Sequence, residues 1–210
     1  MRRTFTLLLL TLTLTTYGQG LKVFLKDGTS DAFQVAALDS ISFGENAPIA
    51  NGHAYVDLGL SSRLMWATCN VGAQRPSDFG DYTAELDSKD REIWGGGWHL
   101  PEKVNAEELV SSCQWTWTEL DGVRGYRVTG PNGASIFLPA AGTRSSDGTP
   151  AGALTNSFGA YWTRGFLYSN KDERYIDPYT LSFSESNRGV VRMPNTQLRF
   201  TTRLVIYNPQ

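Results

Sequence analysis

Residues 95–142 read GGGWHLPEKVNAEELVSSCQWTWTELDGVRGYRVTGPNGASIFLPAAG. Pro101 fixes its own φ and disfavours a helical residue before it, so Trp98-His99-Leu100 is extended and a helix begins only beyond it. Asn105 is the expected N-cap. Glu108 follows at capping-box spacing, and Val104 and Leu109 occupy the hydrophobic-staple positions. The helix is expected from about Ala106 to about Cys113, with Leu109, Val110 and Cys113 on its buried face. Further on, Gly125-Tyr126-Arg127-Val128-Thr129 and Ser135-Ile136-Phe137-Leu138 have strand composition. Gly130-Pro131-Asn132-Gly133 joins them, and its Asn-Gly step supplies the positive φ that a tight hairpin needs. The stretch is expected to be one compact unit of helix and antiparallel strands.

Upstream, Tyr55-Val56-Asp57-Leu58 and Leu64-Met65-Trp66-Ala67 read as strands separated by Ser61-Ser62-Arg63. Residues 70–91 are polar and turn-rich, a surface loop, and the mixed charges of residues 87–92 read as a solvated face. Downstream, residues 143–159 form another loop. Residues 160–163, 179–183, 189–193 and 199–206 are the later strands. Ahead of all this, residues 19–43 read as a short β leader that turns at Asp27-Gly28 and ends its third strand at Phe43. Residues 44–53 are its linker.

Several of these pieces carry a resemblance. WHLPEKVNAEEL and CQWTWTELDGVRGYRVTGPNGASIFLPAAG, with YVDLGLSSRLMWATCNVGA and FGDYTA upstream, resemble the Fibrobacter succinogenes major paralogous domain of exported Bacteroidetes-type proteins. Ala160-Tyr161-Trp162-Thr163 and Arg203-Leu204-Val205 resemble that family's Tyr-Trp-Ser and Arg-Pro-Val signatures, so residues 54–207 are covered. The resemblance implies an α+β, C-type-lectin-like domain of mostly antiparallel strands with one main helix. It also implies a more distant relation to the formylglycine-generating enzyme fold, and it carries over no catalytic residue. The leader is similar to short leaders found ahead of varied domains in the same kind of exported protein. Departures are local. Glu102 and Asn105 stand where the family has Leu-Pro-Thr-x-x-Glu, Arg63 stands at a turn glycine, and Glu85-Leu86 replaces Trp-Gly, so the loop after Tyr82 is rebuilt.

Composition bounds the address and the partners. A formal charge of −2 implies neither a nucleic-acid partner nor an anionic membrane surface. Twenty-one glycines, 12% aromatic and only 19% charged residues suit a turn-rich extracellular domain. Residues 1–18 carry Arg2 and Arg3, then a threonine-diluted apolar run and small residues, the pattern of a secretory signal peptide cleaved before Gln19. The run falls well short of the roughly 20 apolar residues of a membrane span. Cleavage would leave 17 basic against 21 acidic residues, a mature charge of −4. The expected location is secreted, cell surface or periplasm.

An exported chain meets an oxidising compartment, and its only two cysteines, Cys69 and Cys113, allow one pairing. Such a bond would stabilise by about 4 kcal/mol in the chain-entropy model. Two buried free thiols are the alternative.

No motif announces chemistry. Gly95-Gly96-Gly97 precedes an extended tryptophan, not a helix N-terminus, so it cradles no phosphate. Neither histidine lies near a Gly-x-Ser-x-Gly elbow. Cys69, Cys113, His53 and His99 lack zinc-ligand spacing. Calcium-dependent lectins use Glu-Pro-Asn or Gln-Pro-Asp loops, and Met193-Pro194-Asn195 offers no carboxylate or amide at its first position. No metal and no cofactor are expected. Most of the six tryptophans are expected in the core. Trp94, beside the triple glycine, reads as the exposed one, and exposed aromatics stack on sugar faces. Irregular patterning in residues 145–157 and 168–195 points to loops, the usual home of binding residues. The expected ligand contacts are therefore Trp94, Tyr168, Tyr175, Asp177, Tyr179 and Arg188.

The function expected is an exported, non-enzymatic binding or adhesion domain for a glycan or a surface protein. The alternatives are a structural subunit pairing with neighbours in a surface assembly, or an enzyme on a formylglycine-generating-like fold. Protein recovered outside the cytoplasm should have the intact mass of a chain starting at Gln19; a full-length species retaining Met1 would defeat the signal-peptide reading.

Overall fold

The computed structural model describes residues 20–24, 30–34, 47–84, 93–168, 174–193 and 197–207. The chain divides into two units, Met1–Glu45 and Asn46–Gln210. In the first, β1 (Gly20–Phe24) and β2 (Ser30–Gln34) pair antiparallel, Gly20 opposite Gln34 and Phe24 opposite Ser30. The expected signal peptide, the expected turn at Asp27-Gly28, the third strand expected of the leader and the first residues of the expected linker lie outside the described residues.

The second unit opens on β3 (Ile49–Ala50) and β4 (His53–Asp57), an antiparallel pair joined by Asn51 and Gly52 at φ 46° and 82°. Residues expected at the end of a linker thus form a tight hairpin of the domain. β5 (Leu64–Ala67) pairs with β4 and with β12 (Val205–Tyr207), giving a sheet of order β12-β5-β4-β3. After α1 (Lys103–Ser112) come β6 (Gln114–Leu120), β7 (Val123–Thr129) and β8 (Ser135–Pro139), a meander in sequence order. β9 (Phe158–Tyr168), β10 (Arg174–Ser184) and β11 (Arg188–Arg192) make the third sheet, with β10 in the middle.

The expectation of an α+β, C-type-lectin-like domain is corrected by this architecture. The described fold is β-rich: three sheets paired antiparallel throughout, and a single helix of 10 residues. Two causes stand out. The Trp-x-Trp run alternates along a full strand, β6, closed onto β7 by Asp121 and Gly122 at φ 51° and 77°, the type I′ geometry. And the later strands are much longer than their patterns suggest, β9 and β10 running 11 residues each.

The helix starts three residues before its expected position. Glu102 is the N-cap and Asn105 its N3 partner; Asn105 Oδ1 accepts from Glu102 N at 2.9 Å, and the Glu102 carboxylate takes the Asn105 N–H in return. This is a capping box with carboxylate and amide exchanged. Glu108 is then free to accept from Ser62 N at 2.9 Å, tying the helix to the β4–β5 turn. Val104 is exposed rather than stapled, whereas Ala106 and Leu109 are buried as an amphipathic face requires. Cys113 is extended, so the chain leaves the helix directly into β6, and Trp115 Nε1 caps the Leu109 carbonyl at 3.0 Å.

Two apolar clusters lie on opposite sides of shared strands. Leu64 and Trp66 of β5 join Leu58, Leu109, Tyr126, Leu138, Tyr161 and Phe183. Met65 and Ala67, the alternate residues, join Trp98, Leu100, Trp162, Phe200, Leu204 and Ile206. β9 splits the same way, Tyr161 to one side and Ala160 and Trp162 to the other. A strand buried on both faces has no polar alternation, which is why all four β5 positions are apolar and buried. Glycine keeps one contact in the first cluster possible: a Cβ on Gly159 would stand 2.2 Å from the ring of Phe183, its partner on β10.

Between the clusters runs an extended segment, residues 199–205. Its backbone bonds in succession to Arg144, Thr83, Trp162, Val71, Ala67 and His99, at 2.7–3.1 Å. At its centre Arg203 is 1% exposed. Nε donates to Asn70 Oδ1 at 2.8 Å, Nη1 to the Ala67 and Thr68 carbonyls at 2.9 and 2.6 Å, and Nη2 to the Phe137 carbonyl at 2.9 Å. Burial lowers its pKa, but a guanidinium remains protonated. Arg203→Met should cost about 3 kcal/mol or more, because each orphaned buried acceptor costs about 1–3 kcal/mol. Arg203→Lys should recover little, since a three-donor ammonium lacks the planar fork. Urea unfolding measures both; losses under about 0.5 kcal/mol, the size of an ordinary surface change, would contradict the role.

Candidate functional site

The six expected contacts do not form one described site. Trp94 is half-buried: its indole stacks on His53 with centroids 3.8 Å apart and meets Trp98 edge-on at 5.1 Å. Its carbonyl accepts from Asn51 Nδ2, so it braces the β3–β4 hairpin against the second cluster. Tyr179 lies within β10, opposite Thr163 and Arg192, with the Lys103 ammonium 5.6 Å over its ring. Arg188 opens β11 and is exposed, its guanidinium 5.6 Å over Trp115. Tyr168, Tyr175 and Asp177 sit on the β9–β10 pair opposite Arg174, Leu167 and Gly165; their side chains lie outside the described residues. The stretch expected as loops from residue 168 is thus largely strand.

Cys69 and Cys113, expected as a disulfide, are free thiols. Their surroundings differ. Cys69 follows β5, beside the Thr68 hydroxyl at 3.6 Å and near the charge of Arg203. Cys113 caps the far end of α1 and packs against the first apolar cluster. Burial, with Glu108 adding to it, pushes the Cys113 thiol up to about 11.

A different place draws only its loop from the expected binding stretches, residues 145–157. The FGDYTA motif, residues 144–148 and the start of the 199–205 segment together line an open groove of about 530 Å³: Gly80, Tyr82, Arg144, Ser146, Asp147, Gly148 and Arg199. Arg144 and Arg199 are directly opposed on paired backbone, Arg144 N donating to Arg199 O at 3.1 Å and Arg199 N to Arg144 O at 2.7 Å. Opposed residues of such a pair project their side chains to the same side. The Arg199 guanidinium donates through Nε and Nη2 to the Ser146 carbonyl, at 3.2 and 3.0 Å. The Arg144 guanidinium lies 4.8 Å over the Tyr82 ring, a cation–π contact. Tyr82 is fixed in turn by donating to the Ala141 carbonyl at 2.5 Å.

The loop opposite is a small turn. Ser145 N donates to Thr149 O and Gly148 N to Ser145 O, while Asp147 Oδ1 accepts from Thr149 N at 2.9 Å and Thr149 Oγ1 at 2.7 Å. Those bonds hold the Asp147 carboxyl below its usual range, so it is ionised at neutral pH. Burial raises the Tyr82 phenol, against the opposing pull of Arg144, so it stays protonated. The groove therefore offers two guanidinium groups, one carboxylate and a phenol. That inventory suits holding a ligand. Among the described residues, no three His, Cys, Asp or Glu side chains converge as metal ligands, and no helix is long and apolar enough to cross a membrane.

No family model, no curated protein and no solved structure matches the chain.

The thiol assignment predicts two labels per chain in unfolded, unreduced protein. In the native protein at pH 8, Cys113 should react about a hundredfold more slowly than an ordinary thiol of pKa 9.0, its thiolate being that much scarcer. The rate should climb about tenfold per pH unit up to about pH 11. No label in the unfolded chain would reinstate the Cys69–Cys113 bond.

Proposed function

We propose that the chain is an exported, non-enzymatic binding or adhesion domain of the bacterial surface, with the arginine-lined groove as its ligand seat. The observation that carries this reading is the opposed pair Arg144 and Arg199, two cations brought to one open groove from segments far apart in sequence. Neither has an ion pair among the described residues, in contrast to Arg75, which meets Asp78, and Lys103, which meets Glu107. Like charges directly opposite on paired strands are destabilising. A fold that keeps them there gains from whatever anion or polar ligand lies across both. The signal-like N-terminus and the resemblance of residues 54–207 to an exported family support the address.

An array of glycans and purified surface proteins, probed in parallel with the chain and its variants, tests the seat. A ligand whose signal falls tenfold or more in Arg199→Ala, and is unchanged in Tyr179→Ala and Arg188→Ala, is the expected result. The reverse pattern would move the seat to the β9–β11 sheet, where the sequence had pointed.

A further inference from the structure

We infer that the groove takes a sugar bearing a single carboxylate, a uronic- or sialic-acid unit of an acidic glycan. The inference deepens the binding reading above and rests on it. Its first support is charge. Arg144 and Arg199 set against Asp147 leave the lining one positive charge in excess, which matches a monoanion. A dianionic phosphate would meet the Asp147 carboxylate with charge to spare, and a neutral ligand would leave the excess positive charge uncompensated.

Geometry narrows the class further. Arginine presents a planar fork of five N–H donors that matches a carboxylate with two parallel bonds. Arg199 spends Nε–H and one Nη2–H on the Ser146 carbonyl, which pins the plane of the group. Its Nη1 edge is unspent among the described residues. Arg144 is held over the Tyr82 ring, so both forks are positioned before a ligand arrives, and less entropy is lost when it binds. Sugar hydroxyls need acceptors as well as donors. Asp147 Oδ1 takes both bonds from Thr149, leaving Oδ2 to accept a hydroxyl beside the carboxylate seat. At about 530 Å³ the groove lies within the roughly 300–1,000 Å³ of ordinary ligand sites.

The opposed arginines supply a signature that a structural role would not show. If their repulsion is retained for a ligand, Arg144→Gln should leave the melting temperature unchanged or higher while weakening binding tenfold or more. Arg199→Ala should weaken binding equally, with some loss of stability from the freed Ser146 carbonyl. Arg124→Ala, in an exposed contact outside the groove, is the control.

Calorimetric titration of the full chain would use tri-galacturonate, its methyl ester, sialyllactose and inorganic phosphate. We expect tri-galacturonate or sialyllactose to bind, the ester at least tenfold more weakly than the acid, and affinity to be flat from pH 8 to 5. It should fall below about pH 4 as the sugar carboxylate protonates. Equal binding of acid and ester, no binding of either acidic sugar at millimolar concentration, or phosphate-like affinity that changes near pH 6 with the second phosphate ionisation would each overturn the inference. A neutral ligand lost in Arg199→Ala would overturn the acidic class alone and leave the groove as the seat. An acidic sugar whose binding survives both arginine substitutions would overturn the groove itself.

Discussion

The buried guanidinium of Arg203 is the constraint on which the second unit depends. A lone charge in an apolar interior is costly, and among the described residues no carboxylate pairs with it. Instead, four oxygens from two chain segments converge on it: Ala67 and Thr68 at the end of β5 with Asn70 just beyond, and Phe137 on β8. Each of those oxygens would otherwise be a buried acceptor seeking a donor. One planar group answers all four, and so fixes the four-stranded sheet relative to the meander. Asn70 extends the network, its amide reaching the Phe79 carbonyl at 2.9 Å and the Tyr161 hydroxyl at 3.4 Å. Tyr161 then donates to the Pro139 carbonyl at 2.8 Å, and burial raises its phenol to about 12, so it remains a donor.

How much of this was legible in the sequence varies with how local each cause is. The Asn132-Gly133 hairpin was legible because its requirement, positive φ, falls on Gly133, the residue type that meets it at least cost. Asp121-Gly122 carries the same kind of signal and closes β6 on β7, but the two tryptophans ahead of it have the composition of core packing as much as of a strand. The helix was legible as an element but its start was not. Glu102 and Asn105 exchange the usual chemistry of a capping box, and a search for an amide or hydroxyl at the first position selects Asn105. The length of β9 and β10 was not legible. Their 11 residue pairs include Pro178 opposite Arg164, and proline in a run argues against a strand on local grounds. The two-sided burial of β5 and β9 removes the alternation by which strands are recognised.

The site was less legible than the fold, for a related reason. Trp94 looked exposed because a glycine run and a charged stretch flank it, but His53, 41 positions earlier, covers one of its faces. Arg144 and Arg199 carry no local signal at all. One precedes a turn and the other opens the extended segment 199–205, and only the exchange of two backbone hydrogen bonds makes them neighbours. Loop composition did point to residues 145–157 as a place for binding, and Ser146, Asp147 and Gly148 come from that stretch. What the sequence could not supply was the rigid partner across from the loop.

That partner is the same segment that carries Arg203. Arg199 stands four residues before it, and between them Phe200 exchanges hydrogen bonds with Thr83 at 3.0 Å while the Thr201 carbonyl accepts from Trp162 N at 3.1 Å. Arg199 is therefore positioned by a strand-like seam buried between two apolar clusters, and Thr83 places Tyr82 beside it by the same pairing. Only the residues around Asp147 come from a surface turn, and that turn is closed by its own hydrogen bonds to Thr149. A groove assembled in this way has one wall set by the core and one by a short, self-bonded loop. The interaction that holds the fold together and the charges offered to a ligand are thus successive consequences of one extended run of seven residues, 199–205. Loss of the buried anchor at Arg203 would loosen the seam and with it the spacing of Arg199 from Arg144, so stability and binding should fail together there, whereas substitutions at Arg144 can separate them.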